Sequence, residues 1–156
     1  MAAIEYGLRY WFNSLCKLFG EIRDDKGVAV VSYTMEKIPE SVTKTPCAIS
    51  FLDGDVDHSP STGGPTMVTY HGKTEFHLTL GVQKNLLPYV MSFPDKILQK
   101  AASSITLGGK VVSFRLVTPG SIRPVTLSWG NEDEHFGLLV PWVVIENQSG
   151  KYTVSP

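Results

Sequence analysis

The sequence predicts an α+β domain, a mostly antiparallel β-sheet with two helices packed on one face. Three observations predict it. Apolar residues recur at helical spacing near the N-terminus and again around residues 93–101. Alternating or continuously apolar β-rich runs, punctuated by Gly and Pro, fill the stretches between and after them. The resulting order is helix, two or three strands, helix, three strands, without the regular strand–helix alternation of a parallel sheet.

The first helix rests on Ile4, Leu8, Trp11, Phe12, Leu15 and Phe19, one stripe of a 3.6-residue period, with Glu5, Arg9, Asn13 and Lys17 opposite. Gly20 stands where a C-terminal stop belongs. A polar turn, Arg23–Gly27, precedes a β-rich run at 28–33, and residues 34–46 read as an ordered connector with two prolines. "CAISFL" (47–52) predicts a strand, followed by a long acidic loop through Pro65. Residues 66–83 read as an extended segment. Thr74, Phe76, Leu78, Leu80 and Val82 lie on one face, Glu75, His77, Thr79 and Gln83 on the other, with a bulge or turn at Gly72-Lys73.

The second helix takes Ser92 as N-cap, Pro94 in the first turn and Asp95 near the free N–H groups, with Phe93, Ile97, Leu98 and Ala101 as its apolar side. "NLLPYVM" before it adds a helical turn at most. "LGG" (107–109) breaks the chain before a strand at 110–117. Pro119-Gly120 fits the centre of a type II turn, predicting a hairpin between 110–118 and 122–129. The last strand, 136–147, is apolar on both faces, so it is well covered or lies at a subunit contact. Pro141 within it points to a bulge or an edge position. A single domain over 1–147 and a polar tail over 148–156 follow.

Composition excludes several classes. Charged residues are 19% of the chain and the net charge is −1, with no run of basic residues, so no nucleic-acid-binding footprint is expected. The 42% apolar content suffices for a core, and the low charge fraction with 16 aromatics hints at assembly. Cys16 and Cys47 lack metal-type spacing and read as small buried thiols. No segment has the ~18 apolar residues of a membrane span, and the N-terminus lacks a signal-peptide pattern, which predicts a soluble protein.

"FLDGDVDHSPSTGG" (51–64) is the most suggestive stretch for chemistry, because Asp53, Asp55 and Asp57 alternate as a calcium loop begins. An EF-hand loop starting at Asp53 needs Gly at its sixth position and Glu at its twelfth. Here those are His58 and Gly64, so the largest ligand contribution is missing. His71 and His77 share a face if no bulge intervenes, and exposed polar-face residues outweigh a catalytic or metal pair there. His135, beside Glu132, Asp133 and Glu134, reads as a solvated turn tip. "LGGK" precedes a strand, so no helix N-terminus backs a phosphate cradle. No hydrolase or nucleotide motif is present. The expectation is no catalytic residues, no metal and no cofactor.

Taken whole, the pattern resembles the tail terminator (tail completion, or minor tail) proteins of long-tailed bacteriophages. The residues carrying the likeness are the N-terminal helix, the "PCAISFL" strand, "TEFHLTLGVQ" running into "PDKILQKAA", "SSITLGGKVVSFRLV", and the closing "FGLLVPWVVIEN". It covers nearly all of 1–147 and implies a tail-terminator-like fold and a structural, non-enzymatic role. Family members form a hexameric ring that caps the tail tube and docks the head–tail connector. The implied partners are thus further copies of the chain, the tail tube protein and the connector protein, with DNA only as passing cargo and no membrane. The implied location is the virion neck, after synthesis in the host cytoplasm. On this reading the acidic segments (Asp53, Asp55, Asp57; Glu132, Asp133, Glu134) face the DNA-conducting lumen or a partner. Leu138, Val140, Trp142 and Val144 serve the subunit contact. The alternatives are another phage neck or tail-tube subunit, and a small ligand-binding domain or enzyme.

Overall fold

A computed structural model describes residues 6–59, 66–117, 122–130 and 133–149. The chain is an α+β domain whose mostly antiparallel sheet has six strands. In chain order these are α1 (Leu8–Gly20), β1 (Val31–Tyr33), β2 (Cys47–Ser59), β3 (Met67–His77), α2 (Leu87–Met91), α3 (Pro94–Ala102), β4 (Ser113–Leu116), β5 (Arg123–Leu127) and β6 (His135–Asn147). The sheet order is β1-β2-β3-β6-β4, with β5 also on β6. Among the described residues β1 runs parallel to β2 and the other strand pairings are antiparallel.

The core lies between the helices and one sheet face. Trp11, Phe12, Leu15 and Phe19 from α1 and Phe93, Ile97 and Ala101 from the α3 side bury against Val68, Tyr70 and Phe76 of β3 and Leu138, Val140, Trp142 and Val144 of β6. These strand residues are every second one, because alternate side chains share a face. Edge-to-face rings knit the layers, Trp11 on Trp142 and Phe19 on Phe76. The sequence reading of α3 needs two corrections. Leu98 is half exposed. The N-cap is Phe93, and the Ser92 hydroxyl donates back to the Tyr89 carbonyl instead.

The opposite face is covered too. Val42 of the connector, Tyr33, Phe51 and Trp129 pack over Cys47 and Ile49, and the Trp129 indole N–H donates to the Pro39 carbonyl at 2.9 Å. The even-numbered residues 136–144 of β6 are apolar because they fill the core against α1, while Leu139, Pro141 and Ile145 on the other face stay partly exposed. The strand is central, held by β3 along Met67–His77 and on its other side by β4 and then β5. Leu138, Val140, Trp142 and Val144 are each 0% exposed within this one chain, so they cannot supply the subunit contact expected of them.

Three further expectations change. The segments 110–118 and 122–129 do not pair with each other. Both β4 and β5 run antiparallel to β6, one beyond the other along the same edge, and Pro119-Gly120 lies outside the described residues. Pro141 is in a central strand, opposite the gap between β4 and β5, so its missing N–H breaks no ladder bond. Its carbonyl accepts from Val117 N–H at 3.0 Å. Residues 66–83 are not one strand. β3 stops at His77, and Leu80 and Val82 are exposed.

β3 keeps unbroken register with β6 through Gly72-Lys73, where a bulge was expected, and the irregularity falls on β2 between Leu52 and Val56. Gly72 has a different cause. A Cβ there would lie 2.3 Å from the Trp142 ring and 2.8 Å from the Phe51 carbonyl oxygen, so only glycine fits beneath the indole.

The end of the sheet is tied to α1. Buried Glu146 accepts from Gly7 N–H at 2.9 and 3.0 Å and from the Gln148 amide at 2.8 Å. Gln148 is itself buried, its N–H bonded to the Thr66 carbonyl, so the body reaches past 147. The remainder of the expected tail, 150–156, lies outside the described residues. Among the described residues no helix is long and apolar enough to cross a membrane.

Candidate functional site

The acidic stretch was expected as a loop, but β2 continues through it to Ser59, pairing Val56–Ser59 with Met67–Tyr70. Asp53, Gly54 and Asp55 together face only His71, a bulge that Gly54 permits with φ of 122°. The aspartates do not converge. Asp53 lies 3.4 Å from Lys73, and Asp57 lies 3.1 Å from His71 Nε2, both across the hairpin. The lysine also sits over the Phe51 ring. Residues 53–58 are all exposed, so the Asp53–Lys73 ion pair contributes only ~0–1 kcal/mol. Among the described residues no group of three or more His, Cys, Asp or Glu is arranged to hold a cation.

The second acidic segment is split. Glu132 lies outside the described residues, while Asp133 and Glu134 are exposed immediately before β6. The two segments lie toward opposite ends of the sheet, Asp57 level with Ile145 and Asp133 and Glu134 ahead of His135, so they form no shared pocket.

A groove of about 450 Å³, lined by Leu78, Thr79, Leu80, Gln83 and Tyr89 among others, opens beside the end of β3. Tyr89 is its one titratable group, and its hydroxyl already donates to Asp24 at 2.9 Å. Burial and that aspartate raise the phenol's pKa. The groove therefore offers neither a base nor a nucleophile poised for chemistry.

The titratable cluster with the most unusual surroundings is one that reading by segments separates. His77 closes β3, fully buried, and His135 opens β6, 3% exposed, not a solvated tip. In the β3–β6 register His77 faces Gly137, and His135 is its diagonal neighbour on the same sheet face. His77 Nδ1 and His135 Nε2 stand 2.5 Å apart, and the ring centroids are 4.8 Å apart. On the far side His77 Nε2 lies 3.1 Å from Glu75 Oε1. That contact is short but poorly aligned, and neither atom has a directed hydrogen bond. Trp129 packs edge-on against His77.

His71 and His77 were expected as two exposed polar-face residues rather than a pair; they share a face, but His77 is buried and His71 is engaged with Asp57 across the hairpin. The signal that was available lay in "FH" at 76–77 and "HFG" at 135–137, two histidines each beside a core aromatic. Only the pairing of β3 with β6 joins them.

Burial holds the His135 imidazole below its ordinary pKa. The neighbouring His77 acts in the same direction, and the Asp133 carbonyl and Glu75 oppose it. Cys47, the register partner of His77 on β2, has its thiol pushed up to about 12 by burial, so it is a small inert group rather than a nucleophile. Cys16 is likewise pushed up to about 12, chiefly by burial. Both rings are buried within the chain.

No protein-family model and no characterised protein matches this chain.

Proposed function

We propose that this chain is a structural, ring-forming assembly subunit of the tail-terminator type, which caps a phage tail tube and joins it to the head connector. The observation that carries the reading is a sheet with two different open edges. On one side β1 covers only Cys47–Ile49, leaving the outer edge of β2 from Ser50 to Ser59 without a partner strand among the described residues. On the other side no described strand pairs with the outer edges of β4 and β5. Open edges are templates for another chain. Two unlike edges on one sheet suit a head-to-tail contact, and such contacts make rings when the rotation closes.

The bulge and the aspartates of β2 fit the same role. They discourage indiscriminate pairing and leave one shaped edge for a neighbour. Asp53, Asp55 and Asp57 on that edge and Asp133 and Glu134 before β6 are exposed, so in a ring they would keep DNA phosphates from adhering to the wall. Replacing the three β2 aspartates with Asn should then slow genome ejection, and normal infectivity would count against the lumenal placement. The absence of a poised acid, base or nucleophile in the groove beside β3 favours assembly over the enzyme alternative.

Native mass spectrometry of the purified chain, alone and as Val56→Lys, tests the interface. Val56 is 48% exposed on β2, so lysine there should leave the fold intact and block edge pairing. A closed oligomer for the native chain and a monomer for the variant is expected. A native chain that stays monomeric at every concentration, or a variant that assembles unchanged, overturns the reading.

A further inference from the structure

We propose that the helix layer carries a phosphate-binding pocket, set between α1 and the turn at 104–110, with the ammonium groups of Lys17 and Lys110 as its cations.

A groove of about 250 Å³ opens there, lined by Ser14, Lys17 and Glu21 along α1 and its end and by Ser104, Gly108 and Lys110 of the turn. Its polar groups are nearly all donors. The Lys110 ammonium donates to Ser14 Oγ at 2.8 Å and lies over the Tyr10 ring, 5.4 Å from its centroid. Those contacts hold the head group in place, and two of its three N–H bonds remain for a ligand. Lys17 brings a second ammonium, three residues after Ser14 and so on the same side of the helix. Neither lysine has a carboxylate within ion-pair distance among the described residues, where the paired lysines are Lys73, Lys96 and Lys100. Glu21 is the one carboxylate among the lining residues, and Lys100 already engages it at 3.4 Å. In a chain of net charge −1, two ammonium groups against one shared carboxylate make this groove a local site for an anion.

The backbone of the turn supports the same reading. Leu107, Gly108 and Gly109 follow one another at φ of 48°, 73° and 85°. A leucine at positive φ is strained, and burial of its side chain, 3% exposed, holds it there. The turn folds the N–H groups of Gly109, Lys110 and Val111 onto the Thr106 carbonyl at 3.0, 3.0 and 3.1 Å. It leaves the Gly108 N–H without a partner among the described residues. A Cβ on Gly108 would meet nothing within 4 Å, so the space beside it is open to a ligand. No helix N-terminus stands behind "LGGK", but α1 supplies positive charge from across the groove. Two ammonium groups, the Ser14 and Ser104 hydroxyls and one amide suit an oxyanion with three or more free oxygens, which a phosphoryl group has and a carboxylate lacks. The chain has no run of basic residues to track a nucleic-acid backbone, so the ligand class is free phosphate or a small phosphate monoester.

Backbone ¹H–¹⁵N NMR of the full chain, titrated with inorganic phosphate at constant ionic strength, tests the site. A saturable shift centred on Ser14, Lys17 and residues 104–110 is expected. Glycerol 3-phosphate should reproduce it if the pocket takes the terminal group of a monoester, and a response to inorganic phosphate alone assigns the site to the free ion. Lys110→Met keeps the stem over Tyr10 and should weaken binding about tenfold, as loss of a hydrogen bond to a charged group does. Glu21→Gln removes the opposing carboxylate and should tighten binding severalfold, a gain that damage to the fold cannot produce. Unchanged Trp11 and Trp142 indole signals report an intact core in both variants. Shifts that sodium chloride alone reproduces, a response that never saturates, unchanged affinity in Lys110→Met or weaker binding in Glu21→Gln overturns the proposal.

Discussion

Gly72→Ala is the sharpest test of how β3 and β6 pack. The added Cβ would sit 2.3 and 2.4 Å from two ring carbons of Trp142 and 2.8 Å from the Phe51 carbonyl oxygen. Two of these neighbours belong to a fully buried indole that cannot swing clear, since its N–H donates to Thr74 Oγ1 at 3.0 Å and its ring meets Trp11 and Phe114. Overpacking a filled core costs ~1–3 kcal/mol, and displacing the indole from Thr74 adds about 1 kcal/mol. A total of ~2–4 kcal/mol should lower Tm by roughly 4–16 °C for a domain of this size. Gly108→Ala is the control, since that glycine has φ of 73° but nothing within 4 Å of a Cβ, leaving only ~1–2 kcal/mol of backbone strain. Thermal melts followed by near-ultraviolet circular dichroism measure both. Gly72→Ala melting within a degree or two of the native chain would refute the packing argument.

Both thiols, pushed up to about 12, should resist a thiol-specific reagent at pH 8 in the folded chain and react fully in denaturant; reaction of either without unfolding would contradict their burial. Stability should also depend on pH through His135. Its folded-state pKa is depressed, so the unfolded chain binds more protons in acid. The contribution is fully present above the ordinary histidine value of about 6.5 and is lost as pH falls below it toward the folded-state pKa. Urea melts at pH 7.5, 6 and 5 should show midpoints falling with pH, and His135→Asn should flatten that fall. Glu146→Ala leaves the Gly7 N–H and the Gln148 amide without their shared acceptor, so a loss of ~1–3 kcal/mol is expected in the same melts, whereas a loss below half a kcal/mol would deny the tie.

The sequence shows best what is local. The α1 stripe and its polar side fall as the 3.6-residue period requires, because Trp11, Phe12, Leu15 and Phe19 need only one apolar surface to choose their face. The "LGG" turn is legible for a similar reason, with Gly108 and Gly109 at positive φ before a strand. What escapes is set by distant pairing. Aspartate-rich residues 53–58 look like a loop, yet Met67–Tyr70 draw them into β2. Pro119-Gly120 suggests a hairpin, but β6 takes both flanking strands on one edge. Leu138, Val140, Trp142 and Val144 look available to a neighbour until α1 is seen to bury the face they share. The His77–His135 pair is invisible for the same reason, since 58 residues separate its members. Strand alternation placed Glu75 and His77 on a polar face, which the connector and Trp129 then cover over His77.

Electron microscopy of growing tail tubes with the purified chain added tests the central claim most directly. A closed ring of subunits at one tube end, with elongation arrested there, is the predicted result. Tubes that lengthen unchecked with no added density at either end would contradict it.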